Sequence, residues 1–273
     1  MAAETPCVIA LKGGKAAPLA EGRIVVFAGP SVPSTLRPAG SSWLWRPPAM
    51  AGDALALAES RPRAVVLIDG FFDIWPAIRH KELLILMARG VPVIGGASMG
   101  ALRAAELATF GMIGVGRIFD AYARGRLVAD DEVAVMHGPV EMDWAPLTEP
   151  LVNVRATVLS AVRRRVVDAS TARRIFAVAK DVFYKERTWP GLLDALGDQS
   201  AADSRLAAFR LWLPEGRVNL KQIDALACLE AALGLDPPRG IERSSPPETV
   251  FTNALAGQVS SGVRPDPTLD GWR

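Results

Sequence analysis

The chain has 273 residues, half of them hydrophobic, a formal net charge of +2 and two cysteines, Cys7 and Cys228, at opposite ends. That size and apolar content support a sizeable buried core, the small charge selects no polyanionic partner by itself, and two distant cysteines give no disulfide framework, which fits a reducing compartment. No membrane span is expected, because no apolar run reaches about 18 residues, Arg89, Arg103 and Glu106 interrupting the richest stretch, and no export signal is read around Val8 to Leu11, so the expected location is cytoplasmic.

After an N-terminal segment, 1–22, four short strands are expected at 24–28, 43–45, 64–68 and 91–95, each running into a glycine- or proline-marked turn. Helical patterns at 53–60 and 76–88 separate the last three strands, and Pro76 suits a first helical position. A further helix is expected over 101–110. Strand–helix alternation of this kind requires crossover connections, so the fold class is α/β, a mainly parallel sheet flanked by helices, and the domain spans 23–150. In such sheets the ligand crevice lies outside the carboxyl ends of the strands, which should gather Ser31, Asp53, Asp69, Gly70 and Ser98 at one mouth.

A smaller helical region, 151–235, follows, with helices at 152–166, 170–183 (Ser170 as N-cap), 204–213 and 219–233. The remainder, 236–273, is rich in Pro, Gly and Ser and reads as an extended or disordered tail. Between Leu151 and Arg187 nine Lys or Arg, Arg163, Arg164 and Arg165 among them, face three acids, so the segment offers either a docking surface for an acidic partner or a solvated helical face. Nucleic acid is a poor fit, because few aromatic residues are interleaved with these cations and no groove-reading motif is matched.

No cofactor or metal is expected. Gly13-Gly14-Lys15 lacks the spacing and the Ser/Thr of a phosphate loop, and Asp130, Asp131, Glu132 and His137 match no metal-ligand spacing.

The sharpest chemical signal is Gly96-Ala97-Ser98-Met99-Gly100 between a strand and a helix. A Gly-x-Ser-x-Gly corner at that junction lifts a serine hydroxyl off the sheet, making Ser98 the candidate nucleophile. Serine needs a base. His137 follows too soon after Ser98 for an α/β-hydrolase triad, and His80 reads as a helix-surface residue. Lys81 is the alternative: on a helix starting at Pro76 it would lean back toward the mouth, although a lysine on a helix is more often simply solvated.

Gly29-Pro30-Ser31, Pro47-Pro48-Ala49 with Gly52-Asp53, Ile68-Asp69-Gly70, His80-Lys81-Glu82, the run Ser98-Met99-Gly100-Ala101-Leu102-Arg103-Ala104-Ala105-Glu106-Leu107 and Asp130-Asp131-Glu132-Val133 together resemble the TfuA-like core family, over about Arg23 to Thr157. The resemblance implies a partner of YcaO-family enzymes in peptide backbone thioamidation. It implies hydrolysis of the thiocarboxylate of a ThiS-like ubiquitin-fold sulfur carrier through a serine and a lysine, which carry over to Ser98 and Lys81. Backbone N–H groups of Met99 and Gly70 would hold the oxyanion, and Asp69, Gly29, Ser31 and Asp53 would furnish the pocket. A docking protein that binds carrier or peptide without catalysis, with Arg163 to Arg165 as its contact, is the alternative; a generic serine esterase is a third.

Overall fold

The computed structural model describes residues 20–73, 75–197 and 204–235, so the expected tail and most of the N-terminal segment lie outside the described residues. Five strands, β1 (Ile24–Phe27), β2 (Trp43–Arg46), β3 (Ala64–Leu67), β4 (Val93–Gly96) and β5 (Ile113–Val115), form one sheet in the order β2-β1-β3-β4-β5. Every neighbouring pair is parallel, with Ile24 opposite Trp43 and Ala64, Val65 opposite Val93, and Ile94 opposite Ile113. All four residues of β1, β3 and β4 are buried, which is why these strands read as continuous apolar runs rather than alternating ones.

Helices cover both faces. Val25, Phe27, Val65, Leu67 and Val93 pack with α1 (Asp53–Ala56), α2 (His80–Ala88) and α3 (Met99–Leu107). Ile24, Val26, Val66 and Ile94, on the other face, pack with Ala225, Cys228, Leu229 and Ala232 of the last helix, α9 (Leu220–Leu233). Burying Leu229 alone is worth about 1.5–3 kcal/mol, so the sheet depends on a helix more than a hundred residues downstream. Between these parts, α4 (Arg117–Ala123) follows β5, and α5 (Leu151–Arg163), α6 (Ala169–Asp181), α7 (Trp189–Ala195) and α8 (Ser204–Gly216) enclose a core of their own around Val154, Ile175, Leu192 and Phe209. The helices expected after residue 150 therefore divide in two: α5 to α8 share one core, and α9 belongs to the sheet.

Three local differences from the sequence reading have physical causes. Helix α2 starts at His80 rather than Pro76; its start is fixed by buried Glu82, which accepts from the Arg79 N–H at 3.3 Å and the Gly52 N–H at 2.8 Å. Helix α6 is capped by Asp168, which accepts from the Thr171 N–H at 2.8 Å, so Ser170 lies inside the first turn. Strand β5 is only three residues long with a central glycine, and so carries no readable pattern. Among the described residues no helix is long and apolar enough to cross a membrane.

Candidate active site

The sheet order changes direction between β1 and β3: the chain leaves β1 toward β2 and leaves β3 toward β4 and β5. Loops diverging at such a point open a crevice at the carboxyl edge. Asp69, just after β3, ties the two loops together. It accepts the Gly29 and Ser31 N–H groups on Oδ2 at 2.9 and 3.0 Å and the Ser31 hydroxyl on Oδ1 at 2.7 Å.

One strand further along, β4 runs into α3 through a sharp corner. The Ser98 N–H donates to the Gly96 carbonyl at 2.7 Å, and Ala97 is forced to φ 64°. A non-glycine residue in that left-handed region costs about 1–2 kcal/mol, which the packing of Ala97 against α9 residues holds in place. The corner is pinned to β3: the Gly100 N–H donates to the Ile68 carbonyl at 3.1 Å, and a Cβ on Gly100 would fall 1.8 Å from the Leu67 carbonyl oxygen. Ser98, only 7% exposed, is thereby set at the start of α3 beside the loop after β3.

Ser98 lines a cavity of about 380 Å³ together with Asp69, Gly70, Met99, His137, Trp144, Lys185 and Lys221. That volume suits a small ligand or a chain terminus rather than a folded domain, since small-ligand pockets run about 300–1,000 Å³. Gly70 and Met99 touch, as a Cβ on Gly70 would lie 2.7 Å from Met99 Cγ. Their backbone N–H groups take no acceptor among the described residues. Two free donors beside a serine hydroxyl are the elements of an oxyanion hole.

The rest of the wall is aromatic and charged. Phe71, His137 and Trp144 pack with ring centroids 5.3 to 6.0 Å apart. His137 Nδ1–H donates to the Gly138 carbonyl at 2.9 Å, which leaves Nε2 the acceptor of the neutral ring. At the rim Lys185 lies 2.7 Å from Asp73 and the Tyr184 hydroxyl donates to Asp73 at 3.0 Å. These two hydrogen bonds hold the Asp73 carboxyl below its usual range, and the same carboxylate raises Lys185.

Of the residues expected at the site, Ser98, Met99, Gly70 and Asp69 line this cavity, and Gly29 and Ser31 bind Asp69 behind it. Ser31 also lines an adjoining cavity of about 160 Å³ that shares Pro30, Val135 and Lys221 with the first. Asp53 is elsewhere: it accepts the Met50 N–H at 2.9 Å and closes the turn that starts α1. Arg163, Arg164 and Arg165 are exposed at the end of α5 and line neither cavity.

Lys81 is the principal displacement. Its expected lean toward the mouth required a helix from Pro76, but α2 starts at His80, so Lys81 is exposed in the first turn and is not part of the cavity wall. Its neighbour His80 lies 2.6 Å from Glu106, which also pairs with Arg103 at 2.6 Å, on the outer surface. The lysines that line the cavity are Lys185 and Lys221. Lys221 carried one sequence signal: with Ala225, Cys228 and Ala232 it falls at i, i+4, i+7 and i+11, on the apolar stripe of α9 rather than its polar face.

A family model described as TfuA-like protein matches residues 69–188, which include β4, the Ser98 corner and α3 to α6. Among curated proteins none matches the chain.

Proposed function

Over residues 69–188 this chain belongs to the TfuA-like family, and from that premise we propose that it hydrolyses the C-terminal thiocarboxylate of a ThiS-like ubiquitin-fold sulfur carrier, releasing sulfide for a YcaO-family enzyme that thioamidates a peptide backbone. The observation that supports this reading is the buried Ser98 hydroxyl at a strand–helix corner, in a cavity it shares with the unbonded N–H groups of Met99 and Gly70.

Ser98 Oγ attacks the thioacid carbon, and the two N–H groups take the charge that develops on its oxygen. Sulfide leaves more readily than hydroxide, so the acyl-serine forms without a strong general acid. Water then hydrolyses the ester and returns Ser98. The cavity has room for a slender chain terminus while the folded carrier stays outside, and the aromatic wall of Phe71 and Trp144 confines that terminus. The family's serine–lysine pairing makes an amine the base.

The test is sulfide release from a thiocarboxylated carrier by the purified chain and by Ser98→Ala. The hydrolase reading expects release by the first and none by the second. The docking reading, supported by the exposed Arg163, Arg164 and Arg165, expects Ser98→Ala to sustain thioamidation fully and charge reversal at those arginines to abolish it.

A further inference from the structure

Beyond a wall shared through Pro30, Val135 and Lys221, the Ser98 cavity adjoins the smaller one of about 160 Å³. The side-chain acceptors that line the smaller cavity are engaged, whereas several of its donors are not. Glu149 is paired with Arg217. The Asn153 amide oxygen accepts the Lys221 N–H at 3.1 Å, and the Asn219 oxygen accepts the Asn153 amide at 3.0 Å and the Gln222 N–H at 3.1 Å. Thr148 and Thr157, 7% and 1% exposed, accept the Met136 and Val218 N–H groups at 2.8 and 3.0 Å, so each keeps a hydroxyl proton with no acceptor among the described residues. Trp189, 5% exposed, lines the same cavity and its buried Nε1–H has no partner. Buried donors are nearly always satisfied, so three of them around one space call for a guest that accepts hydrogen bonds. The backbone favours negative charge there. Pro150 and Asn219, the N-caps of α5 and α9, both line the cavity, and helices of 13 and 14 residues thus begin beside it with their positive ends.

We infer that the adjoining cavity is a subsite for a small anion, the hydrosulfide that leaves Ser98, an identification that rests on the hydrolase reading above. As Ser98 Oγ bonds to the thiocarboxylate carbon, the C–S bond breaks and the sulfur departs with the serine's proton as hydrosulfide. The charge balances: one negative charge enters on the thiocarboxylate and one leaves on the sulfur. In the subsite the Trp189 N–H and the Thr148 and Thr157 hydroxyls donate to the sulfur. Ser31 Oγ, whose own proton goes to Asp69 at 2.7 Å, is left to accept from the S–H. Sulfur held behind the shared wall is parted from the acyl-serine, so it does not re-form the thiocarboxylate before water attacks the ester. Arg217, with half its side chain exposed, marks the side on which the anion leaves the protein.

The experiment titrates sodium hydrosulfide, in the absence of oxygen, into the isotope-labelled full chain and follows the tryptophan indole N–H signals by NMR. Trp189→Phe identifies the Trp189 signal by its loss. That signal is expected to move and saturate, with half-saturation at or below about 1 mM, while the other indole signals stay in place. Ser98→Ala, which lacks the nucleophile, is expected to bind hydrosulfide as the wild type does. Arg217→Gln, which leaves Glu149 unpaired beside the anion, is expected to bind it more weakly by about tenfold or more. Bromide, an anion of comparable size, should be found in crystals of the full chain within hydrogen-bond reach of Trp189 Nε1 and Thr157 Oγ1, which locates the site even if Trp189→Phe does not fold. Absence of saturation, a response shared by all indole signals, or tighter binding of sulfate than of hydrosulfide overturns the subsite. So does bromide bound without a hydrosulfide response, which would be an adventitious ion only. Sulfide release from a thiocarboxylated carrier by a chain that does not bind hydrosulfide refutes the subsite alone. Saturable binding without such release refutes the proposed reaction and leaves the anion site standing.

Discussion

Replacing Gly100 by alanine tests how the Ser98 corner is held. The new Cβ would lie 1.8 Å from the Leu67 carbonyl oxygen and 2.7 Å from its carbon, both backbone atoms of β3 that no rotamer change can move. Relief requires α3 to retreat from the sheet by more than about 1 Å to regain van der Waals distance. Gly95 offers no room, since it already packs backbone against backbone with Gly100. The retreat carries an overpacking cost of about 1–3 kcal/mol. It also breaks the hydrogen bond from the Gly100 N–H to Ile68, worth about 1 kcal/mol. A total of about 2–4 kcal/mol lowers the melting temperature by roughly 5–15 °C for a chain of this size. Because α3 carries Ser98 at its start, the displacement also moves the hydroxyl, and a shift of about 1 Å costs on the order of 100-fold in rate. Urea unfolding and fluorophosphonate labelling of the folded variant read the two effects. A Gly100→Ala protein within about 0.5 kcal/mol of wild type and labelled normally would refute the argument.

Burial raises the Glu82 carboxyl above its ordinary 4.5. The folded state thus binds that proton more tightly, and the stability it contributes is full below 4.5 and lost as the pH rises through the raised value. Glu82→Gln, permanently neutral, should therefore gain on wild type in urea midpoint as the pH rises from 4.5 through the raised value; a difference constant with pH would contradict this. Cys228, buried under the sheet and pushed to about 12, should resist a thiol reagent in a Cys7→Ser background until the protein unfolds. Rapid labelling of the native protein would show that α9 does not hold the position described.

The parallel sheet was legible because β1, β3 and β4 are buried on both faces and so are written without a polar side chain, in Val, Ile, Leu, Phe, Ala and Gly, each followed by a turn residue. The same logic placed Asp69, Gly70 and Ser98 on one edge, and they do line one cavity. What stayed hidden depends on tertiary contacts. Pro76 suits a helix start, yet α2 begins where buried Glu82 can reach both Arg79 and Gly52, and Gly52 belongs to another part of the chain. That shift of four residues removed the argument for Lys81. Lys221 is the converse case: its place on the apolar stripe was readable, but nothing in the local pattern says that α9 returns across the sheet to bring it beside Asp69.

The central claim is that Ser98 cleaves a carrier thiocarboxylate. The measurement closest to it is sulfide produced when the purified chain meets a thiocarboxylated ubiquitin-fold carrier, with Ser98→Ala run in parallel. Hydrolysis by Ser98 predicts sulfide from the wild type and none above background from the variant. Equal sulfide from both, or none from the wild type, would contradict it.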